Sequence, residues 1–128
     1  MKKLVLFLAL VALGVSVAAA FAKPPPKKSL CFGLTPTITG TQGADVLNGT
    51  AGNDVIAAGA GNDQVNGLAG DDVLCGGPGN DTIQGGDGND RISEVDGAVD
   101  RIDCGPGVDV VFADGEDAIA ASCEDVRR

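Results

Sequence analysis

From Gly40 to Ser93 the chain repeats a nine-residue unit six times without a register error. Glycine stands fourth in every copy, at Gly43, Gly52, Gly61, Gly70, Gly79 and Gly88. Aspartate stands sixth, at Asp45, Asp54, Asp63, Asp72, Asp81 and Asp90. An aliphatic residue stands eighth, at Leu47, Ile56, Val65, Leu74, Ile83 and Ile92. A short fixed period means one structural unit stacked on itself, so the fold is a solenoid before any other feature is considered.

Each unit divides into a turn and a strand. Its first five positions are mostly Gly, Asn, Ala and Thr, as in Gly49-Thr50-Ala51-Gly52-Asn53, and glycine and asparagine tolerate the positive φ of tight turns. Its last three, such as Val73-Leu74-Cys75, read as a short strand with the middle side chain inward. One turn and one strand make half a coil, so units 18 residues apart stack in register, about 4.8 Å from one another. Position eight then forms an aliphatic ladder inside the coil. Position six forms two carboxylate columns on opposite edges, Asp45-Asp63-Asp81 and Asp54-Asp72-Asp90.

Two carboxylates about 5 Å apart at an effective dielectric of about 20 repel by about 3 kcal/mol. A calcium ion between them removes the repulsion, because its oxygen ligands at about 2.3–2.6 Å lie roughly 4.8 Å apart across the ion. Glycine-rich turns add bare backbone carbonyls. The repeats hold no His, and Cys75 is their one thiol, which disfavours zinc; magnesium's strict, reluctantly dehydrated octahedron fits less well. Aspartate is also a common turn residue. A turn preference alone would admit Asn, Ser or Gly at position six, and none occurs there, whereas position five varies among Asn, Asp and Ala.

This unit is the nonapeptide G-G-x-G-x-D-x-U-x, and the chain resembles the RTX (haemolysin-type) calcium-binding repeat family. The resemblance covers residues 40–93 and reappears at Cys104-Gly105-Pro106-Gly107-Val108-Asp109-Val110-Val111-Phe112. Between them, Glu94 to Asp103 keeps Asp100 and Ile102 but carries one extra residue and puts Gly97 out of step. The resemblance implies an all-β, right-handed parallel β-roll in which loop aspartates and loop carbonyls bind calcium. It carries ligand roles onto Asp45, Asp54, Asp63, Asp72, Asp81, Asp90 and Asp109, with Asp100 a weaker candidate. It carries carbonyl roles onto the turns of Gly43, Gly52, Gly61, Gly70, Gly79 and Gly88. First-position glycine is replaced at Ala58, and second-position glycine at Thr41, Thr50 and Leu68; these departures bear on individual affinities. Four internal pairings, 45/63, 63/81, 54/72 and 72/90, predict about four well-formed sites, with more at the ends.

The chain opens Met1-Lys2-Lys3, runs apolar from Leu4 to Ala22 and ends that run Ala20-Phe21-Ala22. This predicts a secretory signal peptide over 1–22, with an uncleaved anchor as the alternative. Loss of that segment takes two lysines and no acid, and moves the net charge from −9 to −11. Such an acidic domain repels nucleic acid and attracts cations. Lys23-Pro24-Pro25-Pro26-Lys27-Lys28 reads as an extended spacer. The expected organisation is signal peptide 1–22, linker and N-terminal cap 23–39, calcium-binding roll 40–112 and C-terminal cap 113–128.

Four cysteines, Cys31, Cys75, Cys104 and Cys123, in a signal-bearing chain imply two disulfides. Three pairings are open. Cys31–Cys75 with Cys104–Cys123 is favoured, because it ties the pre-repeat segment onto the roll and folds the tail over its last coil, covering both solenoid ends. The Cys-Gly-Pro-Gly opening and the Ser122-Cys123-Glu124 ending also resemble the tails of small secreted members of the family. In the loop-entropy account these bridges contribute about 4 and 3 kcal/mol respectively.

Eight inward aliphatics make a thin core, and the empty carboxylate columns repel, so calcium binding and folding are expected to be one coupled process. The resulting expectation is a secreted, monomeric, calcium-binding structural or surface-interaction module, with any protein or glycan partner open and no membrane insertion once the leader is cleaved. An enzyme is not expected: beyond Lys28 there is no Lys, His or Tyr, and the aspartates that might act as an acid–base pair are assigned to calcium. A hydrolase- or toxin-related fragment is therefore a minor alternative. An ice-binding face would need a Thr ladder, but position three reads Gln42, Ala51, Ala60, Ala69, Pro78 and Asp87. Adhesion to a cell wall or glycan stays open, without an aromatic platform to favour it.

Overall fold

The computed structural model describes residues 30–128. The expected signal peptide and most of the expected linker lie outside the described residues. Eleven strands follow: β1 Ile38–Thr39, β2 Val46–Asn48, β3 Val55–Ala57, β4 Gln64–Asn66, β5 Val73–Cys75, β6 Thr82–Gln84, β7 Arg91–Glu94, β8 Arg101–Asp103, β9 Val110–Ala113, β10 Ala118–Ile119 and β11 Asp125–Arg127. Odd strands form one six-stranded sheet and even strands a five-stranded one. Every pairing between these strands is parallel. Two strands per coil give a β-solenoid of about five turns.

Register follows the period. Val55, Ile56 and Ala57 of β3 pair with Val73, Leu74 and Cys75 of β5, and Gln64, Val65 and Asn66 of β4 with Thr82, Ile83 and Gln84 of β6. A strand of three residues has one inward position, and the ladder of inward residues is the core. Ile56, Val65, Leu74, Ile83, Ile92, Ile102 and Val111 are buried in one cluster, with Ile38, Leu47 and Ile119 packed at its ends.

The extra residue after Glu94 does not shift the ladder. Thr82 pairs with Arg101 and Ile83 with Ile102 across it, and Arg91 pairs with Val110 in the other sheet. The surplus is absorbed in the turn, because displacing a strand by one residue would turn its aliphatic outward. At the C-terminus, the tail covers the last coil by adding another. β10 pairs with β8 and β11 with β9, so the segment expected as a folded-back cap continues the winding. Disulfides join Cys31 to Cys75 and Cys104 to Cys123. The first holds the Cys31–Leu34 turn against the outer face of the odd sheet, where the Phe32 and Phe112 rings meet edge to face at 5.4 Å. The Arg91 and Arg127 guanidinium groups lie over these two rings at 4.6 and 5.3 Å.

Candidate metal centre

Each position-six aspartate immediately precedes a strand, so the winding stacks the aspartates as it stacks the strands. Asp45, Asp63, Asp81, Asp100 and Asp117 precede the even strands, and Asp54, Asp72, Asp90 and Asp109 the odd ones from β3 to β9. Each column is stitched by one repeated hydrogen bond, in which a backbone N–H donates to Oδ1 of the next aspartate along. Asp45 donates to Asp63 and Asp63 to Asp81, both at 2.7 Å. Asp81 donates to Asp100 at 2.7 Å and Asp100 to Asp117 at 3.0 Å. In the other column Asp54 donates to Asp72 (2.8 Å), Asp72 to Asp90 (2.9 Å) and Asp90 to Asp109 (2.7 Å). That column ends on Glu124, whose Oε2 accepts from Asp109 at 3.0 Å.

In the interior of each column one oxygen of the carboxylate therefore has a structural partner and the other does not. Oδ2 of Asp63, Asp72, Asp81, Asp90, Asp100 and Asp109 is buried with no hydrogen-bond partner, as is Oε2 of Glu94. A buried acceptor left without a partner costs about 1–3 kcal/mol, and more when it is charged. Burial accordingly pushes the carboxyl groups of Asp81, Asp90 and Asp100 up to about 6, against the pull of the stitching N–H bonds and with a further push from neighbouring carboxylates. Asp72 and Asp109 are raised by the same cause. Glu94 is pushed up to about 9, again chiefly by burial, with Asp100 and Asp81 adding like charge.

These orphaned oxygens look onto backbone carbonyls. A Cβ built at Gly67 would collide with both Asp72 Oδ2 and the Gly85 carbonyl, and one at Gly85 with both Asp90 Oδ2 and the Cys104 carbonyl. The space beside Gly40, Gly49, Gly67 and Gly85 thus holds a carboxylate oxygen and a main-chain oxygen from the next coil. From Gly61 onward fourth-position glycine is needed for stacking: Gly79 has φ +140° and Gly88 φ +131°, and a Cβ at either would strike the carbonyl of Gly61 or Gly70 in the preceding coil. The donor set is all oxygen and anionic; the chain has no His, and no free cysteine occurs among the described residues. That set fits a hard cation of calcium's size.

The predicted aspartates do not all have the same surroundings. Asp45 Oδ2 accepts from the Thr41 backbone N–H and hydroxyl at 2.6 and 2.8 Å, and Asp54 Oδ2 from those of Thr50 at 2.6 and 2.9 Å. The Gly43 and Gly52 carbonyls face the same two threonine hydroxyls. Asp109 and Asp100, the two outlying candidates, sit fully in the columns and are buried. Spacing missed three acids. Asp117 and Glu124 lie off the period, 17 and 15 residues beyond their column partners. Glu94 occupies a first-position glycine site, and its buried carboxylate meets Asp81 and Asp100, with ligand atoms from the three within 4.8 Å of one another.

Comparison with known proteins agrees with this geometry. The family model described as RTX calcium-binding nonapeptide repeat, in four copies, matches residues 39–74 and 67–93. No curated protein and no solved structure matches the chain.

Proposed function

Residues 39–93 belong to the RTX calcium-binding nonapeptide repeat family, and from that premise we propose that the chain is a secreted calcium-loaded β-roll, a structural or surface-interaction module rather than an enzyme, whose folding is coupled to the ions it holds. The observation that carries this reading is the run of buried, unpartnered Oδ2 atoms from Asp63 to Asp109, each with a carboxylate charge and no cationic neighbour. Among the described residues the one ion pair joins Arg127 to Asp125.

In this reading Asp63, Asp72, Asp81, Asp90 and Asp109 supply the carboxylate ligands through Oδ2, with turn carbonyls completing the shell. Asp45 and Asp54 serve the N-terminal turns, where threonine already occupies Oδ2. Secretion rests on the expected leader and on two disulfides, which persist in oxidising compartments. Outside the cell, calcium fills sites even at the 10⁻⁴–10⁻³ M dissociation constants typical of extracellular modules, so the chain would be soft before export and rigid after it.

Calorimetric calcium titration of the disulfide-intact chain, followed by far-ultraviolet circular dichroism, tests this. About four or more ions per chain and a cooperative gain of β signal are expected. No binding at millimolar calcium, or a full β spectrum in excess chelator, would overturn it.

A further inference from the structure

The regular repeat breaks at Glu94, and the repair is made with side chains. In the earlier copies and at Gly85 the first-position N–H donates to a main-chain carbonyl one coil on: Gly67 to Gln84 O and Gly85 to Asp103 O, both at 2.8 Å. At Gly76 the acceptor is instead Oε1 of Glu94. Three residues later Gly79 N–H donates to Asp96 Oδ2 at 2.8 Å, where Gly61 and Gly70 use the carbonyls of Pro78 and Asp87. Two carboxylates have taken over the work of backbone oxygens at the turn with the extra residue.

The exchange has a consequence for charge. In the regular turns the space beside the first-position glycine is shared by one aspartate oxygen and one carbonyl, as for Asp72 Oδ2 with Gly85 O. Beside Gly76 it is shared by Asp81 Oδ2 and both oxygens of Glu94. Asp100, in the same column as Asp81, brings a third carboxylate, and ligand atoms of the three lie within 4.8 Å of one another. Each is held by its other oxygen: Asp81 by the Asp63 N–H, Asp100 by the Asp81 N–H and Glu94 by the Gly76 N–H. The remaining oxygens, Asp81 Oδ2, Glu94 Oε2 and Asp100 Oδ2, are buried and unpartnered, and all three side chains are at most 1 % exposed.

We infer that Asp81, Glu94 and Asp100 form a three-carboxylate site, distinct in composition from the repeat sites, which binds a calcium-sized hard cation more tightly than any regular turn of the roll. This rests on the calcium-roll reading and deepens it. Ligand charge count and rigidity set calcium affinity. Here the count is raised by one and the donors are fixed in advance, so little ordering is left to binding. A trivalent lanthanide of calcium's size should prefer this site still more strongly, for the same electrostatic reason.

Glu94→Gln tests the site, because the amide keeps an oxygen acceptor for the Gly76 N–H while removing the charge. Calcium calorimetry of the full, disulfide-intact chain should show one ion in the tightest class. In E94Q that class should weaken by about tenfold or more, with the weaker classes and the calcium-saturated β spectrum retained. Unchanged tight binding in E94Q would overturn the inference while leaving the calcium roll standing; absence of any calcium binding in the parent chain would overturn both. A measurement on the parent chain alone covers the case in which E94Q fails to fold. The luminescence lifetime of the first bound Tb³⁺, directly excited in H₂O and in D₂O, should report fewer coordinated waters than later equivalents. A first Tb³⁺ no drier than the rest would equally sink the site.

Discussion

The two N-terminal turns, Thr41–Asp45 and Thr50–Asp54, and the turns from Gly59 onward place the same aspartate before the same kind of strand and complete it in opposite ways. In the first two, threonine at position two gives its N–H and hydroxyl to Oδ2, and Gly43 and Gly52 stay out of the left-handed region. Later turns carry a left-handed residue at positions two and four: Gly59 and Gly61, Leu68 and Gly70, Gly77 and Gly79, Gly86 and Gly88. There the position-two N–H of Gly59 and Gly86 points along the solenoid to the carbonyls of Gly76 and Cys104, leaving Oδ2 with nothing. One turn satisfies its carboxylate from within; the other leaves one buried oxygen without a partner. Where position two is threonine the second oxygen of the position-six aspartate has a partner, and where it is a left-handed residue that oxygen has none.

The most direct way to break this contrast, because it acts on ion count as well as stability, is removal of charge from an interior aspartate. Asp90→Asn keeps Oδ1 as acceptor for the Asp72 N–H but abolishes the anionic Oδ2. At calcium tenfold above the dissociation constant each ion stabilises the fold by about 1.4 kcal/mol. Loss of the ion shared at this turn should therefore lower the melting temperature in calcium and reduce the ion count. In chelator the same variant should melt higher than the parent, because a buried orphan charge is gone. Asp54→Asn should change neither ion count nor calcium response. Equal losses in the two variants, followed by scanning calorimetry, would erase the distinction.

Glycine substitutions come next. Gly79→Ala puts a Cβ at φ +140° against the Gly61 carbonyl and should cost about 2–4 kcal/mol. In Gly43→Ala the new methyl meets nothing closer than the Thr41 hydroxyl at 3.9 Å, and the change should stay within about 0.5–1 kcal/mol, with the entropic gain of alanine in its favour. Urea denaturation in saturating calcium separates the two. A costly Gly43→Ala would mean that the N-terminal turns obey the interior rule.

Much of this contrast lies on the surface of the sequence, and part of it does not. The period alone yields the two sheets, the 18-residue register and the inward row from Leu47 to Val111, because a strict repeat admits one way of burying an aliphatic at every eighth position. The substitutions at Thr41 and Thr50 are visible too, as departures from glycine. That they cap the carboxylate depends on where a hydroxyl falls once the turn has closed, which spacing does not encode. Glu94 is hidden for another reason. It stands where glycine is expected, inside the coil that carries an extra residue, and nothing in the spacing says whether the strand or the turn absorbs it. Asp117 and Glu124 end the columns at irregular separations, where periodicity has run out; only their place directly before the short segments Ala118-Ile119 and Asp125–Arg127 marks them.

Acidity offers a further way to sharpen the comparison. The interior carboxyls are raised in the fold, Asp81, Asp90 and Asp100 to about 6 and Glu94 to about 9. A carboxyl raised by folding favours the folded state while both states are protonated, below about pH 4, and loses that advantage as the unfolded chain ionises first. The calcium-free protein should therefore be most stable in mild acid. Its stability should fall as pH climbs from about 4 through about 6, with a shallower decline toward about 9 from Glu94. Calcium should reverse the slope, since the ion competes with the protons. Thermal melts in chelator between those limits check the sign, and a chelated protein that gains stability toward neutral pH would contradict the buried, orphaned state of these oxygens.

The smallest effect tests the threonine caps themselves. Thr50→Val deletes the hydroxyl bond to Asp54 Oδ2 but leaves the backbone N–H bond at 2.6 Å, so the loss should be about 1 kcal/mol with the ion count unchanged. Thr50→Gly removes the same hydroxyl and also permits the left-handed conformation that Gly59, Gly77 and Gly86 adopt. If position two governs the turn, this variant should free Asp54 Oδ2 and add one weak calcium site to the total, which Thr50→Val does not. The pair separates a lost hydrogen bond from a changed turn. An identical calcium stoichiometry in both variants would mean that the N-terminal turns are held in their form by the end of the solenoid rather than by threonine.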